Sequence, residues 1–433
     1  MIFNSSKYNA EWNTKPLSDL GKFQRGKSRH RPRNDPNLFD NGTYPLVQTG
    51  EVKAASLYIR SHEACYNEFG LSQSALWPEN TLCITIAANI AETALLGYPM
   101  CFPDSVVGFN ADPEESSELF MHYVFTYIRK AIQNSASGSI QDNINIEYLT
   151  GLRFKIPHKA YQDKIVAALS VLDKKIELNN RINAELEAMA KTLYDYWFVQ
   201  FDFPDDSPQG QGKPYKTSGG KMVYNPTLKR EIPEGWIDCL LGDHVTFKRG
   251  ISYKSGDIQN TGVPFINLNS FSLSGEFKLE GTKYYNGKFK TESKLNPGEL
   301  VIAITDVTRN ADIIGKSFVI PDIFDETPLM SCDVASVSSR KFCNAYLEQL
   351  FNSESYHKYI KYYASGTLVL HLDLNGVKWF KTYLPPQKLL EEYSQHCASL
   401  FKQRDIVLKE NVYLESLRDW LLPMLMNGQV TVK

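Results

Sequence analysis

The second half of the chain repeats the first, and this constrains the fold more than any other feature. Residues 12–26 read WNTKPLSDLGKFQRG and residues 236–250 read WIDCLLGDHVTFKRG, an offset of 224. YPLV from Tyr44 matches VPFI from Val263 at offset 219. CITIAANIAETALLG, ending at Gly97, matches VIAITDVTRNADIIG, ending at Gly315, at offset 218. Ser137-Gly138 matches Ser365-Gly366, and Pro157 matches Pro385, both at offset 228. Four blocks in one order with drifting offsets mark a duplicated domain. The period is far too long for a stacked solenoid.

Each copy has one plan. Short apolar runs punctuated by Gly, Pro, Asn and Asp come first, with CITIA and ELVIAIT as the clearest strands. A helical segment follows, and then a long helix. The first long helix is expected over about residues 158–198. Ile165, Leu169, Leu172, Ile176, Asn179, Asn183, Leu186, Ala190, Leu193 and Trp197 alternate spacings of four and three, a heptad seam containing two Asn. At ~1.5 Å per residue such a helix is roughly 60 Å long. The second is expected over about 388–427, with a weaker seam of Tyr393, Cys397, Leu400, Arg404, Val407, Asn411, Leu414 and Leu421. The seams share the offset of 228, so Asn183 corresponds to Asn411. The expected fold is α+β: two globular units and two long helices packed antiparallel as a coiled-coil spacer, with a pseudo-twofold repeat. The expected boundaries are 1–157 and 236–385 for the globular units, 158–200 and 386–433 for the helices, and 201–235 for a Pro-, Gly- and charge-rich linker.

Composition bounds the function loosely. Across 433 residues the net charge is -2, so any nucleic-acid surface has to come from local clustering. Seven cysteines without CxxC spacing fit a reducing cytoplasm and support neither a zinc site nor a disulfide framework. No apolar signal core opens the chain and no run of 18 apolar residues occurs, so neither secretion nor a membrane span is expected.

Residues 21–28, GKFQRGKS, match the phosphate loop GxxxxGK[ST] literally. The context is wrong. That loop needs an apolar strand before it and a helix starting at its Lys, but Pro16 precedes and Pro32 and Pro36 follow. The same stretch carries a stronger signal. Lys22, Arg25, Lys27, Arg29, His30, Arg31 and Arg33 crowd into twelve residues. Such a cluster repels itself unless an anion neutralises it; a DNA backbone does so with counterion release, and Arg also reaches guanine edges. A solvated basic loop is the plainer reading. Lys248, Arg249 and Lys254 form the sparser counterpart.

Gln48, Thr49, Asn89, Asn267, Asn269, Thr308, Arg309 and Asn310 follow or interrupt strands in matching blocks. Amide side chains suit adenine edges, and each is equally suited to a turn. Ser137 and Ser365 begin the Ser-Gly loops, where backbone N–H groups hold a phosphate or simply close a turn. No [ND]PP[YFW] tetrapeptide, HExxH, glycine-rich cofactor loop or placed PD…ExK cluster occurs, and the eight histidines are scattered.

Residues 158–236 carry IVAALSVLDKKIELNNRINAELEAMAKTLYDYWFVQFDF, then GKPYKTSGGKMVYN, then LKREIPEGW. This stretch closely resembles the central region of specificity subunits of type I restriction–modification systems. GKFQRGKSRHRPRNDP…YPLVQTGEV…LCITIAANIAETALL resembles one target recognition domain of that family, and ITDVTRNADIIG with SCDVASV another, so the likeness covers essentially the whole chain. It implies a non-catalytic DNA-binding subunit whose recognition domains each read half of a bipartite, asymmetric duplex site. The helices would set the unread gap. It implies two methyltransferase subunits as partners, together with restriction subunits, in the cytoplasm of a bacterium or archaeon. S-adenosylmethionine, ATP and magnesium would belong to those partners, with no cofactor on this chain. The second helix departs from the pattern, with DWLLPML and Pro423 where the first has LYDYWF. A self-contained DNA-modifying or DNA-cleaving enzyme and a protein-binding scaffold are the competing readings.

Overall fold

A computed structural model describes residues 2–137, 144–208, 210–308 and 310–432. The chain divides into two compact units, Met1–Asn180 with Glu410–Lys433, and Arg181–Lys409. Four helices matter below: α1 (Glu118–Ser137), α2 (Lys159–Tyr194), α3 (Asn344–Asn352) and α4 (Gln387–Met426). The long helices fall close to the expected limits. α2 continues into a π-helical turn, Asp195–Val199.

The repeat is visible in the sheets. Unit 1 has a five-stranded sheet in which Gly21–Arg25 pairs antiparallel with Val106–Ala111, which pairs with Leu82–Thr85. Unit 2 repeats this with Val245–Arg249, Val334–Ser339 and Leu300–Ala303. The Leu82–Thr85 and Leu300–Ala303 strands are buried at every position, as β-branched apolar runs covered on both faces should be. α1 covers the first sheet with Phe120, Val124, Phe125 and Ile128; α3 covers the second with Tyr346, Leu347, Leu350 and Phe351. A second small sheet recurs too, each with one parallel pairing: Tyr44–Leu46 with Met100–Cys101, and Val263–Ile266 with Leu329–Met330.

In each unit part of α2 packs antiparallel on part of α4. In unit 1, Ile165 and Leu169 share a core with Leu422, Leu425 and Met426. In unit 2, Tyr194 and Trp197 share one with Leu390, Tyr393 and Cys397. Of the ten seam positions, Ile165, Leu169, Ile176, Asn179, Asn183, Leu186, Ala190 and Trp197 are buried and Leu172 and Leu193 half-buried, so the heptad spacing located the packed face.

The segment read as a linker is folded onto unit 2. Met222–Asn225 and Arg230–Pro233 form a hairpin. Phe201 and Phe203 pack on Trp236, with Phe203 stacked between Trp236 and Tyr215. The π-helical turn directs Trp197 and Phe198 into the same core, where Phe198 meets Tyr346 and Tyr393 edge-on at 4.8 and 5.0 Å. Aromatics contribute large buried area each, so Phe201, Phe203 and Tyr215 hold to unit 2 a segment that reads as a tether from its Pro and Gly. No helix of the described residues is long and apolar enough to cross a membrane.

Candidate nucleic-acid interface

Strand alternation sets out the basic face of unit 1. Along Gly21–Arg25, Phe23 turns inward onto Phe109 (ring centroids 4.7 Å apart), and Lys22, Gln24 and Arg25 point to solvent. Gly26 then lies against the next turn: a Cβ there would sit 2.3 Å from the Pro103 carbonyl oxygen. Unit 2 repeats the arrangement. Phe247 is half-buried, Lys248 and Arg249 are exposed, and a Cβ on Gly250 would sit 2.2 Å from the Ser331 carbonyl oxygen. The shared Arg-Gly therefore marks the point where a basic strand leaves its sheet under a close backbone contact. No helix begins at Lys27; residues 26–35 are turns and irregular backbone, so the phosphate-loop context is absent.

The basic segment is partly self-neutralised. Asp104 accepts from Arg33 Nη2 at 2.5 Å and lies 3.6 Å from Arg31 Nη2, and its carbonyl accepts from Arg25 Nε. His30 pairs with Asp35 at 2.7 Å. The Asn37 backbone N–H, then His30, hold the Asp35 carboxyl below the usual carboxylate range. Among the described residues Lys22, Lys27 and Arg29 form no ion pair. They are the cations of this segment with the most free charge to offer a phosphate. In unit 2, Lys248 Nζ donates to the Glu292 carbonyl, and Arg249 and Lys254 are exposed.

The amide residues separate into two groups. Asn267 is a correction to the DNA-facing expectation. It is 3% exposed and caps the 3-10 turn Leu268–Ser270, and its Nδ2 donates to the Phe265 and Gly281 carbonyls. Its hydrogen-bonding groups are spent inside the domain. Asn269 beside it is exposed. Gln48 is exposed at the start of the helix Thr49–Ala54, with its backbone N–H donating to Glu51; Thr49 is half-buried. Asn89 lies in a loop between Ala88 and Ala91, both at φ 61°, and its Oδ1 accepts from Lys53.

Thr308 and Asn310 sit on a loop organised by a residue that a search for cations and amides overlooks. Asp306 is fully buried and accepts from the backbone N–H groups of Thr308 (2.6 Å), Ile313 (2.6 Å) and Ile314 (2.9 Å). Asn310 is exposed, and Thr308 accepts from the Asp312 N–H. Arg309 lies outside the described residues. Ser137 ends α1, but its side chain and Gly138 also lie outside them. Ser365 is exposed, on the strand Ala364–Ser365. Asp104 and Asp306 are both acidic, and Asp306 is visible in the sequence only as the polar end of a β-branched run.

Residues 9–188 match the family model described as "Type I restriction modification DNA specificity domain". The chain is 23% identical over 433 residues to the type I restriction enzyme MjaIX specificity subunit of Methanocaldococcus jannaschii, covering 98% of this chain and 94% of that protein. It is 23% identical to the HindI specificity subunit of Haemophilus influenzae over 70% of this chain and 74% of that one. Its fold is shared with a crystal structure of the type I restriction–modification S subunit from M. genitalium, at TM-score 0.53 and 17% identity, over 98% of this chain and 99% of that one. The matched domain and the similarity along the whole chain make this protein similar to the specificity subunits of type I restriction enzymes.

Proposed function

We propose that each unit reads one half of a bipartite, asymmetric duplex site, and that the long helices set the distance between the halves. The observation that carries this reading is the repeated strand end. Both units send a basic strand off an equivalent sheet edge beneath an equivalent glycine, but the cations beyond it differ in number. One frame with two different readers suits a target whose halves differ.

Unit 1 engages phosphates mainly through Lys22, Lys27 and Arg29, with Arg25, Arg31 and Arg33 held in a comb by Asp104 for base edges or backbone. Unit 2 uses Arg249, Lys254, Asn269 and the Asp306-centred loop. The outward faces of the helices keep apolar residues that neither unit buries: Val171, Leu178, Ile182 and Met189 on α2, Tyr196 on the π-helical turn after it, and Ile406, Tyr413, Leu417 and Trp420 on α4. Most of these lie seven or four residues apart, the spacing of a second helical seam. They suit docking of two methyltransferase subunits, which would bring S-adenosylmethionine and act on adenine. Restriction subunits with ATP and magnesium would join that core. Catalysis would reside in these partners, in the cytoplasm.

The test is methylation mapping in cells carrying helix-length variants. Four residues inserted near Ala188 are expected to lengthen the gap between half-sites or abolish methylation. An unchanged motif with an unchanged gap overturns the spacer role.

A further inference from the structure

The Ser-Gly block at Ser365 forms a protrusion that the reading above leaves without a task. Ala364–Ser365 and Leu370–Leu372 pair antiparallel, Ala364 with Leu372 and Ser365 with His371. Leu370–Leu372 pairs on its other side with Thr305–Asp306. The base of this sheet is anchored: Leu372 lies in the main core, Leu370 packs against it, and Leu372 N–H donates to the Ile304 carbonyl. The turn is tight. Gly366 has φ +139°, and a Cβ there would lie 2.0 Å from the Val369 carbonyl oxygen.

Beyond this anchor the tip is apolar. Leu368 is 88% exposed, Val307 64% and Val369 40%, and Tyr362 nearby in sequence is 88%. The register places Thr305 opposite His371 and Asp306 opposite Leu370, so one further step sets Val307 across from Val369. Leu368 therefore stands at the end of a short, braced hairpin with two valines beneath it. The Asp306 carboxylate fixes the Val307 side of the base through three backbone N–H groups. Ser365 and Thr367 in the same hairpin are short, polar and exposed. The repeat carries a similar sequence at this place. At offset 228, Ser-Gly-Thr-Leu aligns with Ser-Gly-Ser-Ile, and Leu368 aligns with Ile140.

A narrow convex tip selects its partner by shape. A stable protein interface buries roughly 800 Å² on each side, which four residues on a hairpin end cannot supply. A rigid aliphatic side chain on a thin protrusion does fit between base pairs, where DNA-bending proteins place Leu, Ile, Met or Phe. We propose that Leu368 is a wedge that enters the base stack at one step of the second half-site, with Val307 and Val369 as its apolar shoulders. The inference rests on unit 2 being a duplex reader. It adds a source of specificity that hydrogen-bonding residues do not provide, because the cost of unstacking depends on the step.

The test uses the complex with its methyltransferase subunits and a cognate duplex. 2-Aminopurine replaces, in turn, each purine of the second half-site except the methylated adenine, which methyltransferases extrude themselves. Binding is expected to raise fluorescence several-fold at one step. Leu368→Ala should abolish that rise and weaken cognate binding about tenfold. Leu368→Met should keep it, and the salt dependence should be the same in all three. If Leu368→Ala binds and unstacks as the parent does, the wedge is overturned and duplex reading stands. If Leu368→Ala instead releases a methyltransferase subunit, the tip is a protein contact and the wedge is again overturned. If the parent complex binds no duplex specifically, both the wedge and the reading beneath it fail.

Discussion

Asn179 donates from its side-chain Nδ2 to Oδ1 of Asn411 at 2.9 Å, between α2 and α4, and Asn411 donates onward to Asn180 at 2.7 Å. Both Asn179 and Asn411 are buried, and Glu410 also accepts from Asn179. The repeat offset of 228 maps Asn179 onto Val407 and Asn411 onto Asn183. By the offset, the counterpart of this pair is Asn183 with Val407, an amide where the other position carries an aliphatic side chain. Consistently, neither polar atom of the Asn183 side chain has a hydrogen-bond partner among the described residues. Equivalent asparagines thus have opposite energetics. Asn411→Leu should destabilise by about 1–3 kcal/mol, because it strands the Asn179 amide, whereas Asn183→Leu should stabilise by about 1–2 kcal/mol. Thermal or denaturant unfolding of the two variants decides it; equal effects would mean the repeat does not govern the seam.

The Asp104 clamp makes a prediction about salt. A phosphate-contacting cation adds about 0.9 to the slope of log affinity against log salt. Replacing Lys22 and Arg29 by Gln together should lower that slope by about 1.8. Arg33→Gln should change it by clearly less, because Asp104 already neutralises Arg33 in part. Binding titrations from low to moderate salt measure this, and a larger drop for Arg33→Gln than for the double variant would remove the clamp from the account.

Asp306 is the keystone of the loop carrying Thr308 and Asn310. Asp306→Ala leaves three backbone N–H groups without their acceptor in a buried site, at about 1–3 kcal/mol each where water cannot reach. Unit 2 should lose stability, and methylation should lose discrimination in the second half-site while the first is still read. Methylation mapping with Asp306→Ala beside Asp306→Asn tests this; the amide keeps acceptor capacity at one oxygen and should be milder.

Unit 2 also carries a pH signature. Glu187 lines a cleft of about 810 Å³ together with Glu276, Glu348, Lys316, His357 and Arg404. Burial first, then the charge of Glu276, pushes the Glu187 carboxyl up to about 8, while Arg404 pulls it down. Burial also raises the Glu348 carboxyl. A carboxyl raised on folding keeps its proton in the native state and releases it in the unfolded one. Its stabilising share is full below the usual carboxylate range, and it is lost as pH rises from there to about 8. Unit 2 should therefore melt lower at pH 8 than at pH 5.5, and Glu187→Gln should flatten that difference. An unaltered pH profile in Glu187→Gln would place the dependence elsewhere.

Much of this was legible before the structure because it depends on periodicity. Heptad spacing in α2 identified most of the buried seam, with Leu172 and Leu193 only half-buried, and the aligned blocks located equivalent strands. Asn267 shows where reading by residue type stops. An amide after a strand is the same letter whether it faces a base or caps a turn, and only the nearby Gly281 carbonyl, fourteen residues on, decides between them. The segment 201–235 shows the converse. Its Pro and Gly close tight turns of a folded strap, and its aromatics find their partners in Trp236 and Tyr383, across long sequence separations. Asp306 escaped notice because its three partners are backbone groups, which leave no trace in side-chain chemistry.

Unit 1 takes its parts from both sides of unit 2: Asn4 Nδ2 donates to the Met426 carbonyl, and Leu422 and Leu425 complete the core that Ile165 and Leu169 begin. Unit 2 is one uninterrupted stretch. During synthesis the unit encoded second can close first, while the unit encoded first waits on the ribosome for residues 410–426. A message cut short after unit 2 would then yield a chain with one finished unit and one open core, a species that quality control can recognise by its exposed Ile165 and Leu169.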